Sequence, residues 1–194
     1  MSTKDKKRNS FMLIILGFSL IILAVSIFYS MSSKISDKEK EEIQKSAVSL
    51  VERNFDTVTY FKIAQLPYAE QYNAEEYQDG TLPCSNSIFK NYDELSKFVK
   101  NTYVPSAAEI ILGATVNGKP RYFDKNGILC KTVTPADTSY DNDFSSYSVS
   151  LEKIRKTSCD IKVALKTKST SEDVILNMSM TKKNGKWYLN EMVY

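Results

Sequence analysis

The chain holds no histidine among its 194 residues. That absence removes Cys-His and Ser-His nucleophile pairs and every histidine-bearing zinc site. No G-x-x-x-x-G-K-[ST] phosphate loop, G-x-G-x-x-G dinucleotide loop or G-x-S-x-G nucleophile elbow occurs. Cysteine is confined to Cys84, Cys130 and Cys159, so one internal bridge at most can form. Two readings stand for them: three small buried side chains, or a Cys130 to Cys159 bridge between strands. Arginine is limited to Arg8, Arg53, Arg121 and Arg155, and the basic excess is local. Residues 1–34 carry five basic side chains and one acid, so this tail accounts for the whole net charge of +3 and the remainder sums to −1. A near-neutral domain offers no basic face for nucleic acid. Carboxylates that could work as an acid–base pair, Glu75 with Glu76 and the set Asp137, Asp141 and Asp143, fall in polar, loop-like stretches where solvated surface is expected. No enzyme activity, cofactor or metal is expected.

Charge is also missing, entirely, from residues 11–33, and FMLIILGFSLIILAVSIFY is apolar and long enough to cross a bilayer core of about 30 Å. Lys4, Lys6, Lys7 and Arg8 precede it against the single acid Asp5, which places the amino end inside by the positive-inside tendency. The expected organisation is a cytoplasmic tail over residues 1–8, a transmembrane anchor over 9–32, and an extracytoplasmic domain over 33–194. A cleaved signal peptide is the rival reading, since Ala24-Val25-Ser26 weakly resembles a cleavage site. The apolar run continues through Ile27, Phe28 and Tyr29, which favours an uncleaved anchor in the cell membrane.

Beyond the span, Ser36 and Glu39 have capping-box spacing, and Ile43, Ala47, Leu50 and Val51 recur with a helical period, which predicts a helix over residues 37–54. Residues 55–66, rich in β-branched and aromatic side chains, are expected as a strand or extended connection. Pro67, Gly80 and Pro83 punctuate a long loop with a helical turn near residues 73–77. Asn91, three residues before Glu94, is a helix N-cap, and Pro105 and Gly113 bracket a second short helix. After Gly113 the period drops to two. Asn117-Gly118, Asn126-Gly127 and Asn184-Gly185 mark tight reversals. The last reversal puts the only tryptophan, Trp187, on a terminal strand with Leu189, both expected to face the core. Helices followed by antiparallel strands predict an α+β domain with helices packed on one face of a curved sheet.

One segment reads as a contact surface. PYAEQYNAEEYQDG, residues 67–80, interleaves Tyr68, Tyr72 and Tyr77 with Glu70, Glu75, Glu76 and Asp79 and carries no basic residue. Tyrosine is enriched at protein interfaces, and nearby carboxylates orient and steer a partner. Tyr72, Glu75, Glu76, Tyr77 and Asp79 are therefore the partner-binding candidates. The competing reading is a solvated loop whose tyrosines lie on the domain's own core.

NYDELSKFVKNTYVPSAAEIIL, the RYFDKNGILC hairpin and the closing NMSMTKKNGKWYL resemble extracytoplasmic NTF2-like or cystatin-like domains of Gram-positive bacteria. More narrowly, they resemble the IseA family of inhibitors of cell-wall DL-endopeptidases. That resemblance implies a domain that binds a peptidoglycan hydrolase of the Cys-His type and blocks its cleft. The family's members are typically secreted, whereas this chain carries the apolar span. The expected function is thus a membrane-anchored, protein-binding domain of the cell envelope. The alternatives are an NTF2-like domain that binds or senses a small ligand, and a structural subunit of an envelope assembly.

Overall fold

The computed structural model describes residues 35–77, 80–135 and 139–194. The tail, the apolar span, Asp79 and Asp137 lie outside the described residues, and no helix within them is long and apolar enough to cross a membrane. Lys40–Tyr194 form one compact unit, and the described residues before Lys40 fall outside it.

Helix α1 spans Asp37–Val58. At its start the Glu39 amide donates to Ser36 Oγ at 3.2 Å and the Ser36 amide to Glu39 Oε2 at 2.8 Å, the reciprocal box that its spacing predicts. Its inward stripe of Ile43, Ala47, Leu50, Val51, Phe55 and Val58 is buried. The helix runs past residue 54 and ends in a π-helical turn, Thr59–Ile63, so the strand expected over residues 55–66 is not formed. Phe55, Val58 and Phe61 prolong the buried stripe, and the Thr57 and Thr59 hydroxyls donate to the carbonyls of Arg53 and Phe55 one turn back. Burial against the core outweighs the β preference of these side chains.

Helix α2, Tyr92–Lys100, begins where Asn91 Oδ1 accepts from the Glu94 amide at 3.0 Å. Helix α3, Pro105–Leu112, opens on its proline and closes as the Gly113 amide donates to Glu109 O. The strands are β1 (Thr81–Pro83), β2 (Thr115–Val116), β3 (Lys119–Pro120), β4 (Tyr122–Lys125), β5 (Ile128–Thr132), β6 (Asn142–Glu152), β7 (Ser158–Thr167), β8 (Asp173–Lys183) and β9 (Lys186–Leu189). All three Asn-Gly reversals take positive φ at both residues, 51° and 81° at Asn184-Gly185, which matches the right-handed twist of the flanking strands.

The domain is α+β with a curled antiparallel sheet, as the sequence predicts, but the strands divide into separate sheets rather than one. A four-stranded antiparallel sheet has the order β6-β7-β8-β9, a three-stranded one β1-β5-β4, and β2-β3 form a small hairpin. Cys130 lies on β5 and Cys159 on β7, in different sheets, and all three cysteines are free and buried, so the Cys130 to Cys159 bridge is not made.

The four-stranded sheet buries one face through Ile161, Val163, Leu165, Leu176, Met178, Met180, Trp187 and Leu189. Helix α1 packs there: Phe55 stacks on Phe144 with ring centroids 4.0 Å apart, and Gln44 Nε2 donates to Val149 O. Trp187 is 7% exposed and Leu189 is fully buried. The terminal strand is tied by Leu189, whose amide donates to Thr102 O and whose carbonyl accepts from the Val104 amide. Beyond it, fully buried Asn54 holds the Val193 backbone at both its amide and its carbonyl and accepts from the Tyr103 hydroxyl.

Candidate functional site

The loop that follows the π-helical turn is built from its first residue. Gln65 adopts φ of +63°, a left-handed conformation that turns the chain, and its buried side chain is fixed to the Thr132 carbonyl and the Thr134 amide. The next amide, Leu66, donates to the Tyr122 hydroxyl at 2.9 Å, while that hydroxyl donates to Tyr60 O at 2.6 Å. Residues 67–69 then run antiparallel to the end of β1 through one isolated bridge: Ala69 N donates to Pro83 O, Ser85 N to Pro67 O, and Tyr68 pairs with Cys84. The base of the loop is therefore locked on two sides.

Past that base, Asn73 Oδ1 accepts from the Glu75 amide and caps the 3-10 turn Ala74–Glu76, the helical turn that the sequence predicts near residues 73–77. Tyr68, Tyr72 and Tyr77 meet edge to face, with centroids 6.4 Å and 5.9 Å apart. Such T-shaped pairs are worth about 0.5–1.5 kcal/mol each beyond their burial. The Lys125 ammonium sits 4.8 Å from the Tyr77 ring centroid and donates to Glu76 O, pinning the far end of the row. At the near end Lys131, only 6% exposed, donates to Leu66 O and lies 5.7 Å from the Tyr68 centroid.

The three rings line an open groove of about 860 Å³. Cys84, Ser85, Ser87, Lys90 and Ile128 line it as well, together with Glu70 and Glu76 of the loop. Tyr68 and Tyr72 remain 54% and 40% exposed, so their rings face solvent although they are held in place. Tyr77 is half-buried. Its hydroxyl pKa is raised by desolvation, with Cys130 and Glu76 adding to the effect.

The groove has little reactive chemistry of its own. Burial pushes the Cys84 thiol up to about 12 against the smaller opposing pull of Lys131, so it stays protonated at neutral pH and is no nucleophile. Burial also lowers the pKa of Lys131, with Cys84 opposing. Among the described residues no three His, Cys, Asp or Glu side chains gather as a metal site would require. A second groove, beside Trp187, is lined by Lys45, Arg53 and Lys186, but these cations are engaged: Lys45 with Glu41, Arg53 with Thr102 and Phe98, and Lys186 with Asn101.

Of the sequence-predicted contact residues, Tyr72, Glu75, Glu76 and Tyr77 fall together on this loop, and Asp79 lies outside the described residues. Tyr72 is presented to the groove, whereas Tyr77 is half-covered and buttresses it. Away from this loop, the stretch from Asp141 to Tyr147 serves the fold. Asp141 accepts from the Ser169 amide and hydroxyl, and Tyr147 turns onto α1 toward Phe55 and Glu52. Sequence reasoning missed Lys125 and Lys131, whose positions depend on the β4-β5 pairing beneath the loop. Their alternation along RYFDKNGILCK is visible in the sequence, but nothing there brings the hairpin to residues 66–77. No protein-family model matches the chain, and no curated protein matches it.

Proposed function

We propose that the chain is a single-pass membrane protein, amino end inside, whose outer α+β domain binds another protein of the cell envelope through the tyrosine groove. In its narrowest form the partner is a cell-wall DL-endopeptidase of the Cys-His type, restrained when residues 67–80 occupy its cleft. The observation that carries the reading is the exposed Tyr72 ring held between Tyr68 and Tyr77 at the edge of the groove. An aromatic side chain already ordered before binding loses little entropy on contact, and such residues dominate interface energies. Glu70, Glu75 and Glu76 around it favour a partner surface of positive potential and speed encounter. The interior between helices and sheet is filled by Val51, Leu95, Val99, Tyr103, Met180 and Leu189, each fully buried, and so lends no support to a ligand chamber there.

The test is a dose–response. The full chain, solubilised in mild detergent, is added to a purified peptidoglycan DL-endopeptidase of the same organism acting on cell-wall peptides. Suppression of cleavage by the parental chain, weakened by Tyr72→Ala, supports the reading. Full cleavage rates at every dose overturn the inhibitor form, and failure of the chain to capture any envelope protein by cross-linking in intact cells overturns the protein-binding form.

A further inference from the structure

The four-stranded sheet ends on β9 at one side and on β6 at the other, and among the described residues no strand pairs with β6 on its far side. On the β9 side Leu189 gives both backbone groups to Thr102 and Val104, closing that edge with main-chain hydrogen bonds. The same bonds fix the alternation across the whole sheet. Because the Leu189 N–H and C=O are directed away from β8, its pair with Met180 is a non-hydrogen-bonded one, so Met180 bonds toward Cys159 and Asp160 bonds toward Glu152. Counting on by twos, Lys162 bonds to Ser150, and the N–H and C=O groups of Tyr147, Val149 and Leu151 point away from β7 into the open edge. Val149 O confirms the count by accepting from the Gln44 side chain. No other outward group of these three residues has a partner among the described residues.

An unpaired strand edge is a template for another strand, and proteins that avoid pairing place lysine, proline or a short strand there. Here β6 is 11 residues long, holds no lysine or proline, and has one register shift, at its amino end between Asp143 and Tyr147. Residues 144–151, FSSYSVSL, are uncharged. Tyr147, Val149 and Leu151 are only half-buried, with their side chains on the α1 side, while Ser148 and Ser150 are exposed on the other face.

We infer that the β6 edge pairs with the β6 edge of a second copy of this chain, antiparallel and centred on Val149. The register follows from the outward groups. Val149 meets Val149 of the second copy and Tyr147 meets its Leu151, each pair exchanging both main-chain hydrogen bonds, and Gln44 yields the Val149 carbonyl. Ser148 then faces Ser150, and Glu152 faces Ser146, so no like charges are opposed. Aromatic and β-branched residues sit across from apolar ones, the pairing that stabilises a sheet. The two four-stranded sheets join into one continuous sheet. This inference is independent of the groove and of any partner bound there.

The test uses the full chain in detergent, with mass measured by sedimentation equilibrium across a range of protein concentrations. The parental chain is expected to show a concentration-dependent dimer. Val149→Pro removes an outward N–H without touching a bond to β7, and S148K/S150K places lysines opposite one another on the exposed face. Each is expected to weaken the dimer by about tenfold or more, the effect of roughly 1.4 kcal/mol, with the unfolding midpoint of S148K/S150K unchanged at concentrations where both chains are monomeric. The double-lysine variant keeps the test decisive if the proline disturbs folding. A chain that stays monomeric at all concentrations, or a dimer that S148K/S150K leaves at full strength, overturns the inference.

Discussion

Single side chains at the two ends of the folded domain hold more of it together than their number suggests. Asn54 is buried completely and makes three hydrogen bonds, two of them to the Val193 backbone 139 residues away. Asn54→Ala strands the Tyr103 hydroxyl and both Val193 groups, so a loss of about 1–3 kcal/mol is expected in urea unfolding, with fast amide exchange at Val193. Trp187 is the larger case. With 7% of its surface exposed, Trp187→Ala should cost about 3–5 kcal/mol through lost burial and a residual cavity; a measured change under about half a kcal/mol would mean that the terminal strand is merely appended. The inward position of Trp187 was legible in the sequence, because Asn184-Gly185 fixes the register and alternation does the rest. Asn54 was not: a polar residue at the end of a helical stripe looks like solvent face until the carboxyl terminus arrives beside it.

At the level of elements, caps and turns behaved as local chemistry, and the disagreements arose where distant packing decides. The Ser36–Glu39 box, the Asn91 cap and the three Asn-Gly reversals depend on residues within four positions of one another. Asn91→Ala should accordingly cost about 1 kcal/mol, read as a shift in the urea midpoint at constant slope. Residues 55–66 show the opposite case. Their Thr, Val and Phe content favours strand, yet Phe55, Val58 and Phe61 are needed by the core that α1 covers, and the helix continues to collect them. The division into two larger sheets was likewise invisible, because β1 is a three-residue piece of the long loop and pairs with β5 from far along the chain. For the candidate site, the tyrosine row was legible as composition, but the lysines that pin it, Lys125 and Lys131, were not.

Taken as one molecule, the chain has an unusual pH response written into its composition. With no histidine, stability should be nearly flat between about pH 6 and 8. Above that range Cys84, Tyr103 and Tyr122 dominate, each raised above its ordinary value chiefly by burial. An acid with a raised folded pKa contributes fully below its ordinary value and loses that contribution as pH climbs through the folded one. Lys131 works the other way, since its lowered pKa makes the native state gain as pH rises toward the usual lysine range. Three acids against one base give a net loss, so the urea midpoint should fall from about pH 9 upward, and Tyr122→Phe should make that fall shallower. The proposed surface for an envelope protein is the groove that Tyr68, Tyr72 and Tyr77 line. The most direct measurement is the binding kinetics of a purified DL-endopeptidase to the immobilised full chain, set beside Tyr72→Ala and, as a control distant in sequence, Ile110→Ala, whose side chain is 77% exposed. Tyr72→Ala is expected to dissociate about 30-fold faster, the effect of roughly 2 kcal/mol at a hot spot, while Ile110→Ala matches the parent. Equal dissociation rates for all three chains, or no binding by the parent, would contradict this proposal.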